Sequence, residues 1–411
     1  MKRYIISLFQ YLFIVGLILE FCTPYICFSQ IWHAIQYVVM FSLLLLVLIS
    51  TSISYSAIRL ALLLIIGGLF PALFVAGDII AYVKLYFVFL PLCVIYILGL
   101  LKSDESKVNT LFFKYSNVMF FLSISSLLFW LFGSILEWVP YTTVIPNNWF
   151  DDRFIPTYYG VYFETQKNLF GEMASPGVDA IIKNTGIFNE APMYSLNLCM
   201  ALAVECFLRA RFVFYRIIIF VATILTTFST TGYFFLIFIV MVHIIVLHKN
   251  KKSCLKPILT ILFFSLSVVA SSFLLDNKKE TGESSFTHRI EDIEKCIIIG
   301  FENPITGVGI MHEAKEDGPA DINFGFSNSL FTVFAHGGFY FLFLYVFPLF
   351  IMPYFDYRKN RNLSSWIMFS FFFLFTFTLS QYWYFTIFMV SLGVAYWYHI
   401  NHEISHNREV V

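Results

Sequence analysis

The sequence has few charged residues. Asp, Glu, Lys and Arg together make up 13% of its 411 residues, whereas soluble globular domains contain about 25%. That shortage excludes an ordinary water-soluble domain. The 26 basic and 26 acidic residues cancel, so the overall charge identifies no partner, and we expect no binding to nucleic acid.

Motifs that hold metals or disulfide frameworks are also missing. None of the seven cysteines belongs to a Cys-x-x-Cys pair, and most of them fall in apolar runs, where a thiol behaves as a small hydrophobic group. Asp and His residues form no cluster of the kind that binds a metal ion. We therefore expect no disulfide framework, no metal site and no cofactor.

Apolar residues are abundant instead. They form 59% of the sequence and give a mean hydropathy of +0.77. A membrane-spanning helix needs about 17–25 largely apolar residues, and the chain contains about twelve such runs. The first run lacks a small-residue cleavage site, so we expect a retained helix. The pattern predicts an all-α polytopic membrane protein that forms a single integral membrane domain, 1–411.

Basic residues are distributed unevenly between the apolar runs. Two long polar gaps lie at about 137–191 and 276–326. If the N-terminus is cytoplasmic, most of the 26 Lys and Arg residues fall on the cytoplasmic side, and nearly all the others belong to the two gaps. This positive-inside pattern predicts that both termini are cytoplasmic and that both long loops lie outside. Polar chemistry is expected in these two outer loops.

Distinct short patterns occur in and after these loops. The first loop ends in "KNTGIFNEAP", which leads into the sixth run. The second contains "SFTHRIEDIEKCIIIG", whose apolar spacing predicts a short amphipathic helix capped by Ser285 or Thr287. In "FENPITGVGIMHE", the Asn-Pro step ends that helix, and Gly307 and Gly309 permit a tight turn. Glu205, four residues before Arg209, predicts a pair along one helix.

Four segments together carry a resemblance to a known family. "KNTGIFNEAPMYSLNLCMAL", "TILTTFSTTGYFFLIFIV", "HRIEDIEKCIIIGFENPITGVG" and "FSNSLFTVFAHGGFYFLFL" resemble, in order and spacing, the signature regions of the O-antigen and capsular polysaccharide polymerases, which are related to the O-antigen ligases. The resemblance covers about residues 183–345. It implies a multi-pass protein of the bacterial cytoplasmic membrane that takes part in O-antigen, capsular or exopolysaccharide synthesis.

The resemblance also implies a reaction. Members of this family transfer a growing glycan from undecaprenyl diphosphate to a new lipid-linked repeat unit at the outer face, without a metal. The implied partners are the undecaprenyl-diphosphate-linked oligosaccharide, membrane lipids, a chain-length regulator and a flippase. A cationic site for the departing diphosphate is needed, because negative charge grows on it in the transition state.

Residue by residue, the resemblance implies a catalytic set. Arg289 is our first candidate for binding the diphosphate, since an Arg fork suits phosphate best; Lys183 stands where the family has Arg. Glu190 is placed to act as a base or to orient the acceptor hydroxyl. The family's His-Asn pair reads Ser327-Asn328 here, and its Ser-Arg pair reads Ser229-Thr230. Candidates for substrate binding are Arg153, Asn189, Asn328 and His336.

Each candidate has a simpler interpretation. Glu190 is also placed to cap the sixth helix, whose dipole favours an anion. Structural roles are open for the others as well: ion pairing for Arg289 and Arg153, surface exposure for Lys183, helix-entry hydrogen bonds for Asn189 and Asn328, and core packing for His336.

Alternative functions remain open at this point. An O-antigen ligase differs in its acceptor. A glycosyltransferase that uses a polyprenyl monophosphate sugar usually has an acidic pair in its first outer loop, which "CTPYICFSQ" lacks. A non-enzymatic polysaccharide transporter or flippase is expected to line its membrane interior with charges, whereas this chain concentrates polar residues in two outer loops.

Overall fold

The computed structural model describes most of the chain. The described residues are 2–20, 23–50, 54–74, 79–104, 106–147, 153–165, 182–209, 211, 213–247, 290–309, 329–360 and 383–409. Two predicted spans, at about 257–275 and 363–380, lie outside them.

Most of the described residues are helical, as the sequence predicts. In chain order, the helices are α1 (Lys2–Leu19), α2 (Ser29–Ser50), α3 (Tyr55–Phe74), α4 (Ile79–Tyr82), α5 (Leu90–Ser103), α6 (Ser106–Phe129), α7 (Ala191–Ala203), α8 (Phe214–Thr226), α9 (Thr230–Leu247), α10 (290–302), α11 (Ser329–Asn360) and α12 (Trp383–Glu409). Wider π-helical turns continue the helices at Val83–Phe89, Trp130–Ile135 and Val204–Leu208.

Five of these helical segments are long and apolar enough to cross a membrane. They are Lys2–Leu19, Ser29–Ile49, Ile79–Ser103, Ser106–Ile135 and Ala191–Leu208. Their length and composition indicate a membrane protein. The number of about twelve spans and the sides of the two long gaps stay predictions.

A small sheet lies in the first long gap, where the sequence analysis predicted no strands. It consists of β1 (Thr143–Asn147), β2 (Arg153–Tyr158) and β3 (Tyr162–Phe163), paired antiparallel in the order β1-β2-β3. Most residues of these short segments are β-branched or aromatic, which favours strands. Gly160, at φ 69°, forms the turn between β2 and β3, a conformation that costs glycine little.

The chain divides into two compact units. Unit 1 comprises Met1–Phe13, Val38–Leu111 and Asn277–Val411, and unit 2 comprises Ile14–Tyr37 and Phe112–Asp276. The prediction of a single membrane domain is not decided by this division.

In unit 2, α7 packs against α8 and α9 and is buried nearly all round. Gly232 of α9 permits the close approach to α7, because an added Cβ would lie 2.6 Å from the Cβ of Ser195. The side-chain amide oxygen of Asn197 accepts a 2.7 Å hydrogen bond from the hydroxyl of Tyr115 on α6. Small and polar residues therefore join these helices, as is common between helices in membranes.

In unit 1, α5 packs against α3 and α12, and α12 packs against α11. The hydroxyl of Tyr340 on α11 donates to the carbonyl oxygen of Gly67 on α3 at 2.6 Å. The ring of Phe89, just before α5, contacts that of Tyr384 on α12 edge-on, with centroids 4.9 Å apart. Aromatic side chains thus form much of this interior.

Candidate functional site

The stretch Lys183–Pro192 lies in unit 2 and is mostly buried. Residues 184–189 are all inaccessible to solvent or nearly so. The indole N–H of Trp130 donates to the carbonyl oxygen of Ile182 at 2.9 Å, which holds the start of the stretch. The uncharged polar residues of the stretch, Asn184, Thr185 and Asn189, are therefore enclosed by the protein.

Asn184 ties the stretch to two helices. Its backbone N–H donates to the carbonyl oxygen of Thr226 at 3.0 Å, and its side-chain amide donates to the hydroxyl of Thr226 at 3.0 Å. The amide also reaches the hydroxyl of Ser126 on α6 at 3.4 Å. Its side-chain oxygen accepts from the backbone N–H of Gly186 at 3.1 Å. These hydrogen bonds leave the buried amide well satisfied.

Gly186 lets the stretch pass close to α7. Its φ is 57°, and an added Cβ would lie 2.8 Å from the ring of Tyr194. That ring stacks on Phe188 with centroids 5.4 Å apart, and its hydroxyl forms a 2.7 Å hydrogen bond with that of Ser126. The Gly-Ile-Phe sequence therefore serves close packing here.

Hydrogen bonds also join the stretch to β3. The backbone N–H of Phe163 donates to the carbonyl oxygen of Gly186 at 2.9 Å, and the Thr185 hydroxyl donates to the carbonyl oxygen of Phe163 at 2.7 Å. The Thr165 hydroxyl donates to the carbonyl oxygen of Phe188 at 3.3 Å. The stretch thus connects the sheet with the helices of unit 2.

The two ends of the stretch differ from its buried middle. Lys183 and Glu190 are both half-buried, whereas Asn189 is 0% exposed. Glu190 is the N-cap residue of α7, with extended backbone, but its side chain makes no capping hydrogen bond; Pro192 lies in the first turn. Glu190 therefore occupies the predicted capping position of the helix, but its side chain does not form the capping hydrogen bond. Lys183 and Glu190 are therefore the charged residues that a rigid, buried segment presents near its surface.

A buried carboxylate lies beside this segment, and the sequence analysis did not single it out. Glu164 follows β3, is 2% exposed, and accepts hydrogen bonds from the hydroxyls of Ser134 and Tyr158, the latter at 2.9 Å. Burial raises the pKa of Tyr158, and the nearby Glu164 carboxylate raises it further. The only sequence signal was an acid between aromatic and Thr residues, which is too common to be informative.

The remaining predicted site residues lie on other elements or outside the described part. Arg153 begins β2, in register with Asn147 of β1. His336 lies in α11 of unit 1 and is 2% exposed. Arg289 and Asn328 lie outside the described residues. Of the predicted site residues in unit 2, Lys183, Asn189 and Glu190 therefore lie on one segment, and Arg153 lies on β2.

The Pro304–Gly309 turn docks on a break in α11. Gly338 has φ 58° and ψ −160°, which interrupts the helix. The N–H groups of Val308 and Gly309 donate to the carbonyl oxygens of Ala335 and His336 at 3.0 and 2.8 Å, and the N–H of Phe339 donates to the carbonyl oxygen of Pro304 at 2.7 Å. Backbone groups released by the break thus find partners in the turn, as buried backbone groups require.

The two glycines of this turn have the left-handed conformations that the sequence led us to expect of a tight turn. Gly307 has φ 65° and Gly309 has φ 109°. An added Cβ on Gly307 would lie 2.3 Å from the carbonyl carbon of His336.

The preceding helix α10 overlaps the predicted amphipathic helix. Its buried positions are Cys296 and Gly300, whereas Ile290 is exposed. The predicted capping residues lie outside the described part.

The predicted pair of Glu205 and Arg209 is confirmed, and it belongs to a larger buried cluster. Glu205 lies in the π-helical turn after α7 and accepts from Arg209 at 2.8 Å. Arg216 of α8 approaches the same oxygen at 3.1 Å, and the hydroxyl of Ser116 on α6 also donates to it. This ion cluster joins three helices.

Among the described residues, no group of three or more His, Cys, Asp and Glu side chains is arranged to hold a metal ion. The chain matches no family model, no curated protein and no solved structure.

Proposed function

We propose that the chain is a membrane glycosyltransferase that polymerises lipid-linked oligosaccharide repeat units. It would transfer a growing glycan from undecaprenyl diphosphate to a new lipid-linked repeat, at the outer face of the bacterial cytoplasmic membrane. The observation that carries the proposal is the Lys183–Pro192 stretch, a buried and hydrogen-bonded platform with a cation at one end and a carboxylate at the other.

The chemistry fits these two side chains. A hydroxyl oxygen of the acceptor sugar attacks the anomeric carbon of the donor glycan, the bond from that carbon to the phosphate oxygen breaks, and the diphosphate leaves with the bonding electrons. Lys183 would stabilise the charge that grows on the diphosphate. Glu190 would accept the proton of the attacking hydroxyl or orient it.

Rigidity supports these roles. Catalytic groups must be held close to their productive geometry by supporting contacts. Lys183 and Glu190 flank a segment that is fastened to α8 through Asn184 and to β3 through Thr185. These hydrogen bonds hold the backbone of Lys183 and Glu190 in place. Both residues are only half-buried, so a substrate has partial access to their side chains.

Other residues complete the proposal. Arg289 would supply the principal diphosphate-binding guanidinium. In the sequence it immediately precedes α10, which leads into the Pro304–Gly309 turn and its contact with α11. Arg153, Asn189, Asn328 and His336 are proposed to bind substrate. A chain-length regulator and a flippase are the proposed partners.

The proposal is tested in cells that depend on this chain for their surface polysaccharide. We expect Lys183→Ala and Arg289→Ala each to lower chain extension about 100-fold, leaving single repeat units at the cell surface. Glu190→Gln removes the negative charge of this side chain and keeps its size. Arg211→Ala is the matched control, because Arg211 is exposed and lies away from the proposed site in the sequence.

The same experiment distinguishes the alternatives. Loss of a flippase traps repeat units on the cytoplasmic side, and loss of a ligase leaves long polymers attached to the lipid carrier. Polymer lengths equal to those of the unaltered chain, with both Lys183 and Arg289 changed to Ala, would show that the proposed mechanism is wrong.

A further inference from the structure

Unit 2 contains an apolar cavity next to the Lys183–Pro192 stretch. Its volume is about 330 Å³, and its walls come from α1, α2 and α6, with Val161 and Ile187 contributed by the first long gap. The hydroxyl of Tyr25 donates to the carbonyl oxygen of Gly160, so this end of the cavity is held in place. Lys183 and Glu190 are not among the residues that line it.

The lining excludes polar ligands. Among the described residues that line the cavity there is no Asp, Glu, Lys or Arg, and nearly all the surface that they present to it is hydrocarbon. A water molecule needs two to four polar partners to be stable in a cavity, and a sugar or phosphate group needs more. A hydrocarbon chain is the ligand that such a lining accepts at no cost in unpaired polar groups.

Two residues that line the cavity are also exposed. They are Ile31 of α2, at 42%, and Phe121 of α6, at 63%. Both belong to helical segments that are long and apolar enough to cross a membrane. A lipid chain can therefore enter from the hydrocarbon phase without first passing through water.

The volume favours a lipid with one chain. A dry cavity of about 150 Å³ accepts one benzene ring; on that scale, 330 Å³ accommodates about a dozen carbon atoms, which is two or three isoprene units. A phospholipid would leave its second acyl chain outside the cavity, whereas a prenyl lipid has only one chain to place.

Continuity with the proposed site indicates which prenyl lipid this is. Ile187 forms part of the wall and belongs to the same buried stretch as Lys183, four residues earlier, and Glu190, three residues later. We propose that this cavity binds the first isoprene units of a polyprenyl diphosphate, whose head group then lies at the Lys183–Pro192 stretch. This inference rests on the proposed function, because it takes the lipid-linked substrate from there.

Photo-crosslinking tests the inference directly. The full chain is placed in lipid nanodiscs with a polyprenyl diphosphate that carries a diazirine on its second isoprene unit, and in parallel with a phosphatidylglycerol that carries one in an acyl chain. We expect the prenyl probe to label peptides that contain Val118 or Ile187, and an unlabelled polyprenyl diphosphate to compete. Equal labelling of these peptides by the phospholipid probe would overturn the inference.

Cavity-filling variants provide the second arm. Val118→Trp on α6 should lower labelling by the prenyl probe about tenfold, which corresponds to about 1.4 kcal/mol. Ile31→Trp is a second variant at a half-exposed position, in case Val118→Trp does not fold. Leu128→Trp is the control, because Leu128 lies on the same helix, is 51% exposed and does not line the cavity. Unchanged labelling in well-folded variants of both cavity positions would refute the site.

The outcomes separate this inference from the proposed function. If the cavity is labelled by the prenyl probe but Lys183→Ala and Arg289→Ala leave polymer lengths unchanged, the lipid site stands and the polymerase proposal fails. If those variants shorten the polymer and the cavity is not labelled, the polymerase proposal stands and the lipid site is wrong.

Discussion

The backbone N–H of Gly309 donates to the carbonyl oxygen of His336 at 2.8 Å. In an unbroken helix, that carbonyl would accept from the residue four positions later, but Gly338 interrupts α11. The Pro304–Gly309 turn therefore replaces helical hydrogen bonds with its own. This relationship gives a structural reason for the paired glycines that the sequence shows.

Gly307→Ala is expected to destabilise unit 1. The substitution forces a side chain onto a backbone at φ 65° and places its Cβ 2.3 Å from the carbonyl carbon of His336, where backbone atoms must move. We expect a loss of about 2 kcal/mol or more in the free energy of unfolding. The measurement is the thermal unfolding midpoint of the purified chain in detergent.

Gly67→Ala is the matched control for that prediction. Its φ is outside the left-handed region, and the nearest atom to an added Cβ is the terminal hydroxyl of Tyr340 at 3.3 Å. If Gly67→Ala and Gly307→Ala lower the thermal unfolding midpoint equally, the docked turn does not stabilise α11.

Removing Arg216 should leave the buried Glu205 carboxylate with too little positive charge beside it. Arg216 is 3.1 Å from the Glu205 carboxylate, and the two side chains are 10% and 1% exposed. Breaking one side of a buried ion pair costs about 3–5 kcal/mol; because Arg209 remains, we expect about 3 kcal/mol for Arg216→Ala. Unfolding in detergent measures it, with the exposed Arg211→Ala as the control, for which a change within about 0.5 kcal/mol is expected. The prediction is wrong if Arg216→Ala and Arg211→Ala have the same free energy of unfolding.

Asn184→Ala and Lys183→Ala should separate structure from activity. Asn184 is 0% exposed and its side chain bonds to Thr226 and Gly186, so its removal leaves buried partners unsatisfied and costs about 2 kcal/mol. Lys183 is half-buried at the end of the stretch, so its substitution should change stability little and polymer length strongly. Thermal unfolding and the polymer-length assay together test this contrast. A loss of activity in Lys183→Ala that matches its loss of stability would contradict it.

Glu20 should make the stability of unit 2 depend on pH. Burial raises the pKa of Glu20 from 4.5 to about 7, while hydrogen bonds from Gln36 and Trp32 partly offset that effect. Between these pH values the folded chain binds the proton more tightly than the unfolded chain, so stability falls as pH rises. The total change in the free energy of unfolding is on the order of 3 kcal/mol.

The variant Glu20→Gln tests this assignment. It mimics the protonated acid, so the unfolding midpoint should lose that part of its decline between about pH 5 and about pH 8. The exposed Glu302→Gln is the control and should keep the full decline. An identical pH dependence in Glu20→Gln and in the unaltered chain would show that another group is responsible.

Local patterns allowed several features to be predicted. The turn glycines Gly307 and Gly309 and the helix pair of Glu205 and Arg209 depend on residues that are close in the chain. The sheet was missed because β1, β2 and β3 are short and because their pairing connects segments up to 14 residues apart, Thr143 with Thr157. Arg216 was missed for the same reason, since only packing brings α8 to α7.

The candidate site shows the same difference between features that local sequence determines and features that depend on packing. The sequence alone determined that the chain is rich in long apolar helices, because the hydrophobic effect acts on composition and periodicity. It also indicated "KNTGIFNEAP" as the end of the first long loop and as the location of the candidates Lys183 and Glu190. Only the tertiary structure decided that Asn184 to Asn189 are buried while Lys183 and Glu190 keep partial access. That difference depends on hydrogen bonds to β3, α6 and α8, which lie far away in the sequence and meet the stretch only after the helices pack.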